Sequence, residues 1–222
     1  MKNEAFYISG FWRFVWVLLL VSVVFSSAAM MTIEASLLPI HWNIYGDADQ
    51  FADKNLALAL WPLIILALIG LFKVIPKFEK RKEHLKQSKK ATSFLLGGVL
   101  LLIFVLQLLF VFYVLGVIDS MMHWVTGVVS VLILVMGNFI TKLQSNYSIG
   151  IRTKWTLNDE RVWVKTHRFA SLLFILVGVL SLTTVFWMPP QWMFLNIVVF
   201  VLSTVICVPY SYLVSNSLEA KS

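Results

Sequence analysis

Charged residues and cysteine are both scarce in this sequence. Only 13% of the 222 residues are charged, whereas 59% are hydrophobic, and a typical soluble domain carries about twice that share of charge. A soluble fold is therefore excluded, because the surplus apolar surface has to face lipid rather than water. The single cysteine, Cys207, excludes an intramolecular disulfide and a thiolate zinc site.

Sequence motifs of the common enzyme classes are also missing. The chain has no glycine-rich phosphate loop, no nucleophile elbow and no metalloprotease helix motif. We therefore predict that the protein is not an enzyme and that it holds no cofactor and no metal.

Long apolar runs are what the sequence has in abundance. Each has roughly the 17–25 residues that a helix needs to cross a bilayer, and none alternates as a barrel strand would. The sequence predicts an all-α polytopic membrane protein with six transmembrane helices. The first run follows Lys2 and Arg13 and exceeds a typical signal-peptide core, so we expect it to be retained. The six runs are 14–33, 56–72, 94–118, 121–140, 169–188 and 192–213.

Lysine and arginine are distributed unevenly among the predicted loops. All 18 of them except Lys54 fall near the two termini or in the segments 73–90 and 142–168. An excess of Lys and Arg marks the cytoplasmic side, so both termini and these two segments are predicted to be cytoplasmic. The acids predicted to lie outside are Glu34, Asp47, Asp49, Asp53 and Asp119.

The link 77–90, KFEKRKEHLKQSKK, is the densest basic segment. It could dock an acidic partner or anionic lipid headgroups, but a topology anchor with a solvated face is favoured. Apart from Phe78 it has no aromatic residue among the basic ones, and it has no nucleic-acid motif, so we predict no direct nucleic-acid binding. The link also divides the chain into a two-helix module, 1–90, with an outer loop at 34–55, and a four-helix module, 91–222.

The outer loop collects polar side chains. Pro39 and Gly46 punctuate it, which predicts a turn-rich loop. Imidazole and carboxylate groups at this density could hold a divalent cation, but the spacing matches no EF-hand. A folded cap over the helix bundle, with Trp42 and Tyr45 at the lipid interface, is favoured. The predicted outer-site residues are His41, Trp42, Asn43, Gly46 and Asp49.

The stretch 146–167, NYSIGIRTKWTLNDERVWVKTH, interrupts the hydrocarbon between two apolar runs. Asn158, or Thr156 together with Asp159, is predicted to cap a helix that continues into the fifth span. On that helix Glu160, Trp163, His167 and Ser171 fall on one stripe. An interfacial helix with a tryptophan anchor is the alternative to a functional site.

Two amides lie within the apolar runs. Gln107, in the middle of the third run, is predicted to bond to a neighbouring helix. Asn138 follows Gly137 near the inner end of the fourth run, where polar groups face protein or a water-filled cavity. A functional and a packing role both remain open for Asn138.

These segments together resemble the signature of the SdpI/YfhL family of bacterial membrane proteins. Gly137-Asn138 precedes the stretch, which then shows N-Y, G-I-R-T, W-T-L, V-W and T-H in the family's order. The outer loop is similar to a module that often precedes this signature, with a P-x-H-[FW]-N-x-x-G-x-x-D pattern. Many relatives carry proline after the R-T pair, where this chain has Lys154.

The resemblance implies immunity to a secreted, membrane-active peptide toxin. In some relatives it also implies signalling, in which a transcription repressor is held at the membrane. The partners it implies are a peptide toxin outside and a repressor protein in the cytoplasm, besides the lipid bilayer. A small transporter or membrane enzyme is the alternative, although broken helices with paired short halves are not evident. The predicted inner-site residues are Asn138, Asn146, Arg152, Trp155, Thr156, Trp163 and His167.

Overall fold

Six helical spans dominate the computed structural model, which describes residues 6–220. Lys2 and Lys221, two of the basic residues that predict cytoplasmic termini, lie outside this range. The six predicted spans are confirmed, and the chain is a multi-pass membrane protein. The helices are α1 Phe11–Thr32, α2 Lys54–Phe78, α3 Lys82–Gln87, α4 Lys89–Val114, α5 Met121–Ile140, α6 Lys154–Asn158, α7 Glu160–Thr184, α8 Phe194–Val205 and α9 Cys207–Glu219.

The sixth span is built from a 3-10 turn, Pro190–Trp192, followed by α8 and α9. Pro209 has no N–H to donate to the carbonyl four residues earlier, which accounts for the interruption at Ile206. The backbone stays hydrogen bonded through it, from Ile206 N to Leu202 O at 3.0 Å. The interruption is therefore a kink and not an unwound segment.

Helices α5 and α7 make the most extensive contact of any two helices within residues 6–220. Ser171 Oγ on α7 donates to Gly137 O on α5 at 2.6 Å. A Cβ added at Gly137 would lie 2.8 Å from Ile175, and one added at Gly178 would lie 2.8 Å from Leu134. Glycine at both positions lets the two backbones approach, as small residues do between membrane helices.

Gln107 joins three helices at a fully buried position. Its Nε2 donates to Ser22 O at 3.0 Å and to Ser26 Oγ at 2.8 Å, while its Oε1 accepts from Ser22 Oγ at 2.7 Å. Ser26 Oγ in turn donates to Leu58 O on α2 at 2.8 Å. The predicted helix-to-helix hydrogen bond of Gln107 is thus confirmed, and it links α4 to α1 and α2.

The outer loop is a β-hairpin, which the sequence analysis did not predict. Strands β1 Leu37–Trp42 and β2 Ala48–Asp53 pair antiparallel, with Leu38 opposite Ala52. Asn43 Oδ1 accepts from Tyr45 N at 2.9 Å and from Asp47 N at 3.0 Å, so its side chain closes the turn. Asp53 then caps α2 by accepting from Asn55 N at 2.9 Å.

The orientation of the bundle is open to a direct labelling test. The hairpin and the link lie at opposite ends of α2, and Gln50 and Gln87 are both exposed. In a Cys207→Ser background, we expect an impermeant thiol reagent added to intact cells to label Gln50→Cys and not Gln87→Cys, because basic loops stay inside. Labelling of both positions after the cells are opened is the control. The opposite pattern in intact cells would reverse the side assigned to every loop.

Candidate functional site at the inner turn

Asn146 shapes the segment between α5 and α6, residues 141–153, which we call the inner turn. The side chain is fully buried, and its Oδ1 accepts from Ser148 N at 2.8 Å and from Ile149 N at 2.7 Å. Its Nδ2 donates to Gln144 O at 2.8 Å and to Ile149 O at 3.1 Å. These four hydrogen bonds of the Asn146 side chain all go to backbone atoms within three residues. Asn146 therefore determines the path of the turn.

A stacked pair, Trp163 and His167, supports the turn from α7. Their ring centroids lie 4.0 Å apart, and both side chains are buried. Trp163 Nε1 donates to Leu143 O at 2.8 Å. His167 Nε2 accepts from Ile151 N at 3.1 Å, and His167 Nδ1 lies 2.8 Å from Trp163 O. Because Nε2 accepts, the proton is on Nδ1 and the ring is neutral.

Gly150 lies directly over this pair, at a φ of 121°. A Cβ there would stand 2.7 Å from His167 Nε2 and 3.0 Å from the Trp163 ring. The positive φ and the close approach both require glycine. The predicted residues Trp163 and His167 therefore form a surface against which the glycine turn is pressed.

Thr153 and Thr156 begin α6 with a reciprocal capping box. Thr153 Oγ1 accepts from Thr156 N at 3.2 Å, and Thr156 Oγ1 accepts from Thr153 N at 2.9 Å. Thr153 also bonds Ser211 on α9, Oγ1 to Oγ at 2.9 Å. Trp155 packs on Tyr212 with ring centroids 5.1 Å apart. The turn is thereby attached to the sixth span.

The start of the long helix α7 differs from the prediction. Its N-cap is Asp159, which accepts from Arg161 N at 2.7 Å, and not Asn158, which ends α6. Thr156 pairs with Thr153 and not with Asp159. The side-chain hydrogen bond from Arg161 holds the pKa of Asp159 below its usual value. Two short-range caps thus replace the single predicted one.

Arg152 and Asn138 are both exposed. Arg152 Nη1 donates to Tyr147 O across the turn. Asn138 Oδ1 accepts from Lys142 Nζ at 3.5 Å, and no hydrogen bond within residues 6–220 joins Asn138 to the turn. Gly137, its neighbour, faces α7 instead. The structure therefore brings six of the seven predicted inner residues together and leaves Asn138 apart.

Glu79, in the basic link, belongs to the same assembly and was missed. It is only 3% exposed, and Tyr147 N donates to its two oxygens at 3.2 and 3.1 Å. Arg81 N donates to Glu79 Oε1 at 2.7 Å, and Ser148 Oγ donates to Oε2. A buried carboxylate that accepts several charge-assisted hydrogen bonds holds the surrounding backbone in place.

Arg81, His84 and Ser88 complete the attachment of the link to the turn. Arg81 Nη2 donates to Leu157 O at 2.6 Å, and Arg81 Nη1 bonds Ser145 Oγ. His84 Nδ1 donates to Ser145 O at 2.8 Å, and Ser88 Oγ accepts from Gln144 N at 2.8 Å. We call this set, together with Glu79, the link clasp. The link was expected to be a solvated anchor, yet these four polar residues are docked, while its lysines at 80, 82 and 90 are exposed.

The outer-site residues lie on and beside the hairpin. His41 Nδ1 and Asp49 Oδ1 are 2.6 Å apart, and Gly46 approaches Met122 and Pro190. Trp42 packs edge-on against Phe110 and Tyr113 of α4, with ring centroids 6.4 and 5.7 Å away. Trp42 therefore joins the hairpin to the bundle, and its place at the lipid interface stays a prediction. Residues 6–220 contain no group of three or more metal-binding side chains.

Comparison with known proteins confirms the resemblance to the SdpI/YfhL family. Residues 142–211 match the SdpI/YfhL protein family, and residues 36–66 match a domain of unknown function, DUF1648. "Immunity protein SdpI" of Bacillus subtilis (strain 168) is 28% identical over 177 residues, covering 79% of this chain and 82% of that protein. No solved structure matches. The inner turn and the hairpin fall within the matched segments, whereas the link clasp residues 79–88 fall between them.

Proposed function

We propose that this chain, a relative of the SdpI/YfhL family, is an immunity protein that protects a bacterium against a secreted, membrane-active peptide toxin. The observation that carries the proposal is similarity to a named immunity protein along most of both chains. The same similarity favours a role in binding over catalysis. In support, the polar groups of Asn146, Thr156 and His167 are engaged by backbone, which leaves no paired nucleophile and base at the described turn.

The hairpin supplies a surface suited to such a toxin. Ile44, Tyr45 and Phe51 are each more than half exposed, and Asp47 and Asp49 are exposed beside them. Apolar and acidic side chains on one small surface complement an amphipathic, cationic peptide. We propose that the toxin meets this surface from outside.

A killing assay tests the proposal. The chain is expressed in a Bacillus subtilis strain that lacks the gene for the related immunity protein, and the strain is exposed to the secreted peptide that kills it. We expect survival with this chain and death with an empty vector. A hairpin variant, Ile44→Ser with Phe51→Ser, should lose protection while it still accumulates in the membrane. Death despite normal accumulation of the unaltered chain would contradict immunity to that peptide.

Arg152→Lys separates a specific role of the inner turn from simple anchoring. The substitution keeps the charge, so topology and accumulation should be unchanged. It replaces the guanidinium that donates to Tyr147 O by an ammonium on a more flexible stem, without the planar set of donors of arginine. We expect protection in the killing assay to fall about fivefold, because a hydrogen bond from an exposed charged group contributes about 1 kcal/mol. Full protection with normal membrane levels would reduce Arg152 to a basic anchor.

Signalling by a cytoplasmic repressor is a second candidate, favoured by the link clasp. The clasp holds the basic link against the inner turn, so both present one fixed basic surface. We expect a DNA-binding protein to co-purify with membranes that contain the chain, and to be lost with Lys80→Gln and Lys82→Gln. The killing assay measures survival and co-purification measures partner binding, so the two functions can be tested apart.

A further inference from the structure

An apolar trough and a basic pocket join beside the start of α1. The trough has a volume of about 470 Å³ and is lined mainly by residues of α1 and α4, with Val135 from α5. The pocket has a volume of about 480 Å³ and is lined by Tyr7, Trp12, Arg13 and Lys89. Residues 8–10 line both. The two cavities therefore adjoin at residues 8–10, and together they offer an apolar end and a charged end.

The apolar end suits a hydrocarbon chain. Its α4 wall runs from Ser93 to Leu101, which is roughly 12 Å along a helix. Gly97 leaves room there, because a Cβ at that position would meet Phe11 and Phe14 only at 3.7 Å. Phe14, Phe94 and Leu101 are exposed at its edge, so the trough opens sideways, toward the bilayer.

The charged end suits a phosphate. Arg13 and Lys89 are exposed, and within residues 6–220 neither forms an ion pair. Helix α1 begins here after Gly10, which has no side chain to cap the first N–H groups. The positive end of the helix dipole therefore adds to the two side-chain charges.

We propose that this joint cavity is a binding site for one anionic phospholipid, with an acyl chain in the trough and the headgroup phosphate on Arg13 and Lys89. A lipid is the occupant that matches both ends, because it presents hydrocarbon and a phosphate at the depth where α1 enters the membrane. A zwitterionic lipid adds an ammonium group that meets the two cations, so selectivity for an anionic headgroup follows. The site is separate from the toxin surface of the hairpin, at the other end of α1.

Competition between two lipids tests the charged end. The full chain is stripped of lipid in detergent and offered equal amounts of phosphatidylglycerol and phosphatidylcholine with identical acyl chains, and bound lipid is counted by native mass spectrometry. We expect a preference for phosphatidylglycerol of roughly thirty-fold, about fivefold for each basic residue. Arg13→Gln with Lys89→Gln should abolish the preference. The matched pair Lys77→Gln with Lys90→Gln, exposed but outside the pocket, should retain it.

The apolar end is tested by filling it with a larger side chain. Gly97→Leu should lower the binding of both lipids by at least about tenfold, whereas Gly70→Leu, where a Cβ meets nothing within 4 Å, should leave binding unchanged. Equal binding of the two lipids by the unaltered chain would overturn the proposal. So would full binding by Gly97→Leu, or loss of the preference in the Lys77 and Lys90 pair to the same extent as in the Arg13 and Lys89 pair.

Discussion

Gly150→Ala is expected to destabilise the protein by about 3 kcal/mol or more. The new methyl group would lie 2.7 Å from His167 Nε2 and 3.0 Å from Trp163, neither of which can retreat from its buried, stacked position. To that overlap is added the strain of a φ of 121° in a residue with a side chain. Denaturant titration in detergent measures the free energy of unfolding, which falls by the sum of the steric overlap and the backbone strain.

Gly116→Ala is the matched control, because it shares the positive φ but not the contact. Gly116 has a φ of 69°, and a Cβ there would meet nothing within 4 Å. Its cost should be only about 1–2 kcal/mol, the strain term alone. Equal costs for the two alanines would show that the Trp163 and His167 surface yields, and would remove the argument that it forms a rigid support.

Glu79→Ala is expected to release the link from the inner turn, at a cost of about 3 kcal/mol. The substitution leaves the N–H groups of Arg81 and Tyr147 without their acceptor, and each buried donor left unpaired costs about 1–3 kcal/mol. Amide hydrogen exchange in residues 145–158 should accelerate while exchange in the spans stays slow. Glu79→Gln, which keeps the volume and one oxygen, should lie between the alanine variant and the unaltered chain.

Glu83 provides the control for that experiment from the same link. It is exposed and pairs with Lys86 at 3.1 Å, one turn along α3. Glu83→Ala should change stability by less than about 1 kcal/mol, as is typical of surface ion pairs. If both alanines accelerated exchange equally, net charge in the link and not the buried carboxylate would govern the docking.

The six spans could be predicted from the sequence because lipid imposes a simple rule. A helix is needed wherever some 20 apolar residues follow one another, and the structure obeys this in every run. The Gln107 hydrogen bond was predictable for a related reason: an amide at membrane depth has few partners other than a neighbouring helix. Where lipid permits only one backbone conformation or one hydrogen-bond partner, the sequence is sufficient to predict it.

The incorrect predictions concern segments for which several backbone conformations or side-chain directions have similar free energies. The hairpin holds Pro39 and Gly46, so its polar and turn-forming residues hid two short strands. Asn138 was expected at the inner site, yet one residue along a helix is a rotation of about 100°. Since Gly137 faces α7, Asn138 points elsewhere.

The link clasp was missed because charge runs are read as solvated. Glu79 is the only acid before Arg81 in a strongly basic segment, and that isolation was its one visible signal. The residues that bind it, Tyr147 and Ser148, are 68 and 69 positions away. Sequence spacing carries no information about such a contact. The family comparisons are equally silent, since the clasp falls between their two matched segments.

The hydrogen bonds of Gln107 to Ser22 and Ser26 also affect how the helices enter the membrane during synthesis. As ribosomes deliver the chain N-terminus first, α1 and α2 enter the membrane before α4 exists. Until then Ser22 lacks the amide that bonds it in the finished protein, and an unsatisfied hydroxyl in hydrocarbon is costly. We expect the first two helices to wait beside the insertion machinery, or to pair only loosely, until the third span arrives. A chain truncated after residue 90 should therefore be degraded faster than one truncated after residue 120, and Gln107→Leu should erase much of that difference.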